Sequence, residues 1–135
     1  MTIVLADTSA WSRFYRNDTP PDDPIASALD DELRSGSVVT TGLIYLELLR
    51  GFTRSNTRTT LAEHFEHVPF IEPARDDHAA AADVSLICRR AGVQVATVDA
   101  LIAQICLAND LTLLTSDADF THIARQVPLK LWRTG

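Results

Sequence analysis

Four carboxylates stand where apolar segments of this chain meet polar ones: Asp7, Glu47, Asp99 and Asp117. Asp7 follows Ile3-Val4-Leu5-Ala6 and precedes Thr8 and Ser9. Glu47 lies in Leu43-Ile44-Tyr45-Leu46-Glu47-Leu48-Leu49, with apolar residues three and four positions before it. Asp99 opens Ala100-Leu101-Ile102-Ala103-Gln104-Ile105-Cys106-Leu107-Ala108, and Asp117 follows Leu111-Thr112-Leu113-Leu114-Thr115-Ser116. Acids gathered from four such junctions repel one another, and a hard divalent cation with oxygen preference relieves the repulsion. A dication held this way activates water and steadies charge on a phosphoryl group, so phosphodiester hydrolysis is the chemistry the set suggests. Asp7 and Asp99 are the leading ligands, with Glu47 and Asp117 completing the set or holding a second ion.

Each acid also has a plainer reading. Asp7 and Asp99 stand where a helix N-cap is favoured, although Thr8 or Ser9 can cap in place of Asp7. Asp117 suits a turn, and Glu47 can pair with Arg50 at i+3. Asp30-Asp31-Glu32 near the end of a helix opposes its dipole and reads as a solvated face. The bases are unequal: of 12, only Lys130 is lysine, and arginine is the better fork for phosphate. Arg13, Arg50 and Arg54 are candidates for an RNA backbone. Arg50, Arg54 and Arg58 share one face only if a helix runs unbroken through Gly51 and Ser55-Asn56-Thr57.

These residues must be positioned by a modest chain. Its 135 residues, 46% hydrophobic, suit one domain over 1–135 with a proper core. No apolar run reaches the ~20 residues of a membrane span, and the acidic start does not resemble a signal peptide. Cys88 and Cys106 form neither a CxxC nor a disulfide framework, which suits a reducing cytoplasm. Net charge is −6, against binding nucleic acid through whole-molecule charge. His64, His67, His78 and His122 form no metal-ligand motif.

The elements alternate. Strands are expected at 3–6, 38–40, 68–71, 111–115 and 129–132, with Pro69 marking an edge or strand start. Helices are expected at 10–15, 25–33, 43–51, 60–66, 77–91 (stopped by Gly92), 100–109 and 121–126. Such alternation implies a three-layer α/β/α sandwich on a mainly parallel sheet. Ligands then bind beyond the carboxyl ends of the strands, where Asp7 and Asp117 fall.

The ordered set of Val4-Leu5-Ala6-Asp7-Thr8-Ser9, Leu46-Glu47-Leu48-Leu49-Arg50-Gly51, Arg90-Ala91-Gly92 with Val98-Asp99-Ala100-Leu101-Ile102-Ala103, and Leu114-Thr115-Ser116-Asp117-Ala118-Asp119-Phe120 resembles the PIN domain, in particular the VapC-type toxin ribonucleases of bacterial toxin–antitoxin pairs. The resemblance places metal-binding acids on Asp7, Glu47, Asp99 and Asp117, with Asp119 as a further acid. It places supporting hydroxyls on Thr8 and Ser116. It implies Mg²⁺ or Mn²⁺, endonucleolytic cutting of RNA (often tRNA or rRNA), a homodimer, and a cognate antitoxin that blocks the site. An antitoxin segment would need a basic residue for the acids and an apolar anchor, and Trp11, Phe14 and Tyr15 are candidate receivers.

Two other classes compete. An acid-cluster phosphatase needs a second acid two residues after its nucleophile, where this chain has Ser9, and a phospho-acceptor receiver needs a strand-end lysine, which Lys130 does not supply. A non-catalytic, metal-stabilised module that binds RNA or a protein would use the same acids without cutting.

Overall fold

The computed structural model describes residues 2–133, so the ends of the expected 1–135 domain lie outside the described residues. Strands β1 (Val4–Ala6), β2 (Val38–Val39), β3 (Thr112–Leu114) and β4 (Lys130–Leu131) pair in the order β2-β1-β3-β4, all parallel. Val4, Leu5, Leu113 and Leu114 are wholly buried, as near-continuous apolar strands of a covered parallel sheet must be. The helices are α1 (Thr8–Tyr15), α2 (Pro24–Arg34), α3 (Gly42–Gly51), α4 (Ser55–Phe65), α5 (Arg75–Arg90), α6 (Thr97–Ala108) and α7 (Asp119–Ala124).

The chain leaves β1 toward β2 on one side and enters β3 and β4 on the other. Helices α1–α2 lead outward from β1 to β2, and α3–α4 lead outward again from β2 to the parallel bridge at Phe70, so right-handed crossovers put α1–α4 on one face and α5–α7, on the return to β3 and β4, on the other. Packing agrees: α1 packs on α2 and α3, whereas α5 packs on α6, and α6 on α7. The result is the three-layer α/β/α sandwich. The reversal falls between β1 and β3, the place where open sheets form a ligand crevice.

The sequence boundaries need correction in places. Helix α4 begins at Ser55, not at position 60, and the break falls at Phe52–Arg54. Buried Leu61 and Phe65 anchor α4, and the Arg58 guanidinium closes the corner on the carbonyls of Leu49 and Phe52. The segment 68–71 contributes a single parallel bridge, Thr40 with Phe70, rather than a full strand. Pro69 lends only its carbonyl, accepting from Thr40 N at 2.9 Å, and Ile71 N donates to Thr40 O at 2.8 Å. Helix α5 starts at Arg75, where the Asp77 carboxylate accepts from Ala74 N at 2.8 Å. It ends before Gly92, whose φ of +81° is the left-handed stop expected there. Helix α6 starts at Thr97, so Asp99 is its third residue and not its cap.

Candidate active site

Asp7 is set by the end of β1. Its backbone N still bonds Leu114 O at 3.1 Å across to β3, and its side chain then caps α1. Oδ1 accepts from Ala10 N at 3.0 Å and from Ser9 Oγ at 2.6 Å, and Oδ2 accepts from Thr115 Oγ1 at 2.6 Å. Capping by Thr8 or Ser9 in place of Asp7 is thus not what forms. Burial raises the Asp7 carboxyl above the ordinary range. The bonds from Ser9, Thr115 and Ala10 pull it back down, and the charge of Asp117 adds to the rise.

Glu47 projects from α3 toward α1 and accepts from Thr8 Oγ1 at 2.7 Å through Oε1. Among the described residues it makes no ion pair with Arg50. Asp99 lies in the first turn of α6, half-buried, and no helix amide bonds its side chain. Burial, followed by the charges of Asp117, Asp119, Asp7 and Glu47, lifts its carboxyl to about 6. Asp117 follows β3: its N donates to Thr115 Oγ1 at 2.9 Å, and its Oδ1 accepts from Asp119 N at 2.9 Å. That turn brings Asp119 into the group, and Asp99, Asp117 and Asp119 each place a carboxylate oxygen within 4.8 Å of the others.

Asp7, Glu47, Asp99 and Asp117 line one cleft of about 300 Å³, together with Thr8, Ser9, Ser12 and Ile102. Among the described residues the ion pairs are Arg13–Asp23, Arg16–Asp18, Arg34–Asp30 and Lys130–Asp110, none of which involves these acids. The cluster thus has no counter-charge among the described residues. Oxygen donors, mutual proximity and absent arginine or lysine suit a hard dication such as Mg²⁺ or Mn²⁺.

Other expected residues fare differently. Thr8 reaches Glu47, but Ser116 is exposed and contributes its backbone N, donating to Ser9 Oγ at 3.0 Å. Ser9 and Thr115 are the hydroxyls joined to Asp7; from sequence Ser9 is expected only as a possible cap, and Thr115 is given no role. Their signal was their place beside Asp7 and at the end of β3. Arg13 is held by Asp23 at 2.6 Å, so its guanidinium serves the α1–α2 contact. Arg50 is exposed on α3, Arg54 is exposed within the α3–α4 break, and Arg58 is spent on the corner, so no single basic helix face forms. Trp11 is wholly buried and stacks with Tyr15, centroids 5.9 Å apart, so it is core and not a receiving surface. Phe14 and Tyr15 are half-buried.

The PIN domain matches residues 4–126, and the chain belongs to the PIN-domain family. At 32% identity over 128 residues, it is similar to the VapC ribonuclease Mb1587 of Mycobacterium bovis and to Ribonuclease VapC11 of Mycobacterium tuberculosis, covering 91% of this chain and 92% of each relative. Its place in the family is therefore with the VapC-type proteins. Solved structures share the fold at lower identity. FitAcB from Neisseria gonorrhoeae is 19% identical, with a TM-score of 0.76 over 97% of both chains. VapBC2 from Rickettsia felis, bound to a DNA fragment from its promoter, is 17% identical, with a TM-score of 0.77 over 99% of this chain and 100% of that one.

Proposed function

We propose that this protein is a divalent-metal-dependent endoribonuclease, a single PIN unit acting in the cytoplasm as the toxin of a toxin–antitoxin pair. The observation that carries the reading is the gathering of Asp99, Asp117 and Asp119 oxygens within 4.8 Å, beside Asp7 and Glu47 and without an ion-pair partner among the described residues. The relatives named as ribonucleases support it.

Asp99, Asp117 and Asp119 would hold Mg²⁺ or Mn²⁺, with Asp7 and Glu47 on the adjoining walls. A dication there lowers the pKa of water and stabilises charge developing on phosphoryl oxygens. Asp99 gives up the proton that burial and its neighbours favour as the site fills. Glu47 is fixed through Oε1 by Thr8, which leaves Oε2 to accept a hydrogen bond from water or the ribose. Thr8, Asp7 and Asp117 thus define where a scissile phosphate can sit.

The acids repel RNA, so nearby cations must draw it in. Thr8 and Ser12 lie on one line of α1, with Arg16 just past its end, beside Glu47 and Gly51 on α3. This line leads to a second depression, of about 360 Å³, whose lining includes Arg16, Asp18, Gly51, Arg54 and Thr57; Asp18 holds Arg16 at 3.0 Å, which leaves Arg54 as the cation without an ion pair there among the described residues. We assign an RNA backbone track to it, with Arg54 as its contact, whereas Arg50 lines a separate depression with Tyr45 and Leu49; tRNA or rRNA is the expected substrate. A cognate antitoxin would block the same acids with a basic side chain and anchor near Phe14 and Tyr15. A homodimer would use the face of α5, where Leu86 and Ile87 are 39% and 45% exposed.

The test is incubation of purified protein with total bacterial RNA in Mg²⁺, in Mn²⁺ and in EDTA, with Asp99→Asn prepared identically. Discrete products that need metal and vanish in the variant are expected. Folded, antitoxin-free protein that cuts nothing under any condition would favour the non-catalytic binding module instead.

A further inference from the structure

We propose that Ser9 and Thr115 form a hydroxyl clasp that positions the acid site, acting through Asp7 and the loop that carries Asp117 and Asp119. The two hydroxyls lie 3.2 Å apart and join the β1–α1 junction to the β3–α7 loop, 106 residues away in sequence. Each serves both sides. Ser9 Oγ donates to Asp7 Oδ1 and accepts from Ser116 N; Thr115 Oγ1 donates to Asp7 Oδ2 and accepts from Asp117 N. Asp117 Oδ1 in turn accepts from Asp119 N. A relay of hydrogen bonds thus runs from the buried Asp7 carboxylate to both exposed acids of the cluster. Ser116, Asp117, Ala118 and Asp119 are all exposed; from the far side the segment is held by α7, where Phe120 N and Thr121 N donate to the carbonyls of Asp117 and Ala118 and Phe120 is buried, so the clasp is its tie to β1 and Asp7.

The clasp also sets what Asp7 can offer. A carboxylate oxygen has two lone pairs. Both on Oδ1 are taken, by Ser9 Oγ and Ala10 N, and one on Oδ2 is taken by Thr115 Oγ1. One lone pair of Oδ2 remains. Asp7 would therefore have one oxygen, Oδ2, to offer a cation. This part rests on the metal reading above; the ordering of the loop does not.

The experiment uses full-length wild type, Thr115→Val, Thr115→Ser and Ser9→Ala. Amide hydrogen exchange at 116, 117 and 119 is followed by NMR without metal, and Mn²⁺ affinity and stoichiometry by calorimetry. Thr115→Val is expected to speed exchange of the Asp117 and Asp119 amides about tenfold, the effect of one lost hydrogen bond. It should weaken Mn²⁺ about 10–100-fold, as loss of a group that orients a ligand does. Thr115→Ser should restore both, because the hydroxyl and not the methyl is the working part. Ser9→Ala should act mainly at the 116 amide, and it decides the matter if Thr115→Val does not fold. Wild-type exchange with wild-type Mn²⁺ affinity in Thr115→Val, or losses that Thr115→Ser does not restore, would overturn the clasp. Wild type that takes up no Mn²⁺ would sink the metal reading instead, and the exchange data would still decide the clasp.

Discussion

Asp7 and Asp23 hold the same local post and end in opposite electrostatic states. Each is a buried N-cap: Asp7 accepts from Ala10 N at 3.0 Å, and Asp23 accepts from Ala26 N at 2.9 Å. Asp23 faces a cation. Its carboxyl is held below the ordinary range by the Ala26 amide and by the hydrogen bond and charge of Arg13. Asp7 faces hydroxyls and other acids, and burial raises it in spite of three hydrogen bonds. Identical capping grammar thus serves a structural joint in one place and a charged cleft in the other. What separates them is the partner delivered by distant sequence: Arg13 for Asp23, Thr115 and Asp117 for Asp7.

The most forceful way to break this contrast is to neutralise each acid. Asp7→Asn and Asp99→Asn should lower RNA cleavage by roughly 10²–10³-fold, the usual scale for removing a group that stabilises developing charge. Asp23→Asn should leave the cleavage rate of folded protein unchanged. Initial rates at matched folded concentration check it, and an equal loss in Asp23→Asn would erase the distinction.

Metal linkage sharpens the same contrast. At 100 times its Kd, Mn²⁺ should stabilise wild type by about 2.7 kcal/mol, a rise in Tm on the order of 10 °C for a chain of this size. Asp23→Asn should show the same rise and Asp99→Asn a smaller one. Without metal, Asp99→Asn should melt no lower than wild type, because it removes like-charge repulsion. A large drop in scanning calorimetry would make Asp99 a structural residue.

The pH dependence comes next in size. The Asp99 carboxyl stands at about 6 in the folded protein, against 3.8 for an ordinary aspartate. Between those values the folded state binds the proton that the unfolded chain releases, so stability falls as pH rises through the window. Metal-free wild type should therefore be more stable near pH 5 than at pH 7. For a half-exposed group, allowing for solvent screening, Asp99 contributes about 1 kcal/mol or less of that difference. Urea denaturation at the two pH values checks it, and Asp99→Asn should show a flatter profile.

Much of this was legible in the sequence, and the reasons differ by residue. The parallel sandwich followed from apolar runs alternating with helical stretches, because buried strands such as Leu111–Thr115 must be apolar on both faces. The acids stood out because each interrupts an apolar junction. Ser9 and Thr115 did not, because a hydroxyl at a junction looks the same whether it caps, turns or reaches across 106 residues. Trp11 was misjudged as exposed because an aromatic in a short polar helix carries no mark of which face is covered; α1 turns it onto Phe65, centroids 4.6 Å apart. The α3–α4 corner was misplaced because Ser55-Asn56-Thr57 resembles a break locally, yet Leu61 and Phe65 hold the helix through tertiary packing.

The smallest effects concern the arginines, and they test the pairing idea from the cationic side. Arg13 and Arg54 are equally plausible phosphate contacts by type. In the fold Arg13 is committed to Asp23 at 2.6 Å, whereas Arg54 makes no ion pair among the described residues. Arg13→Ala should cost about 1 kcal/mol or less, the scale of a partly exposed pair, and should leave the salt dependence of RNA affinity as it was. Arg54→Ala should leave stability alone, weaken RNA binding across sequences, and lower the slope of log K against log salt by about 1. Binding to a catalytically dead Asp99→Asn background, titrated at several salt concentrations, reads both. If Arg13→Ala shifts the slope and Arg54→Ala does not, RNA approaches over the α1–α2 joint and not along the groove between α1 and α3.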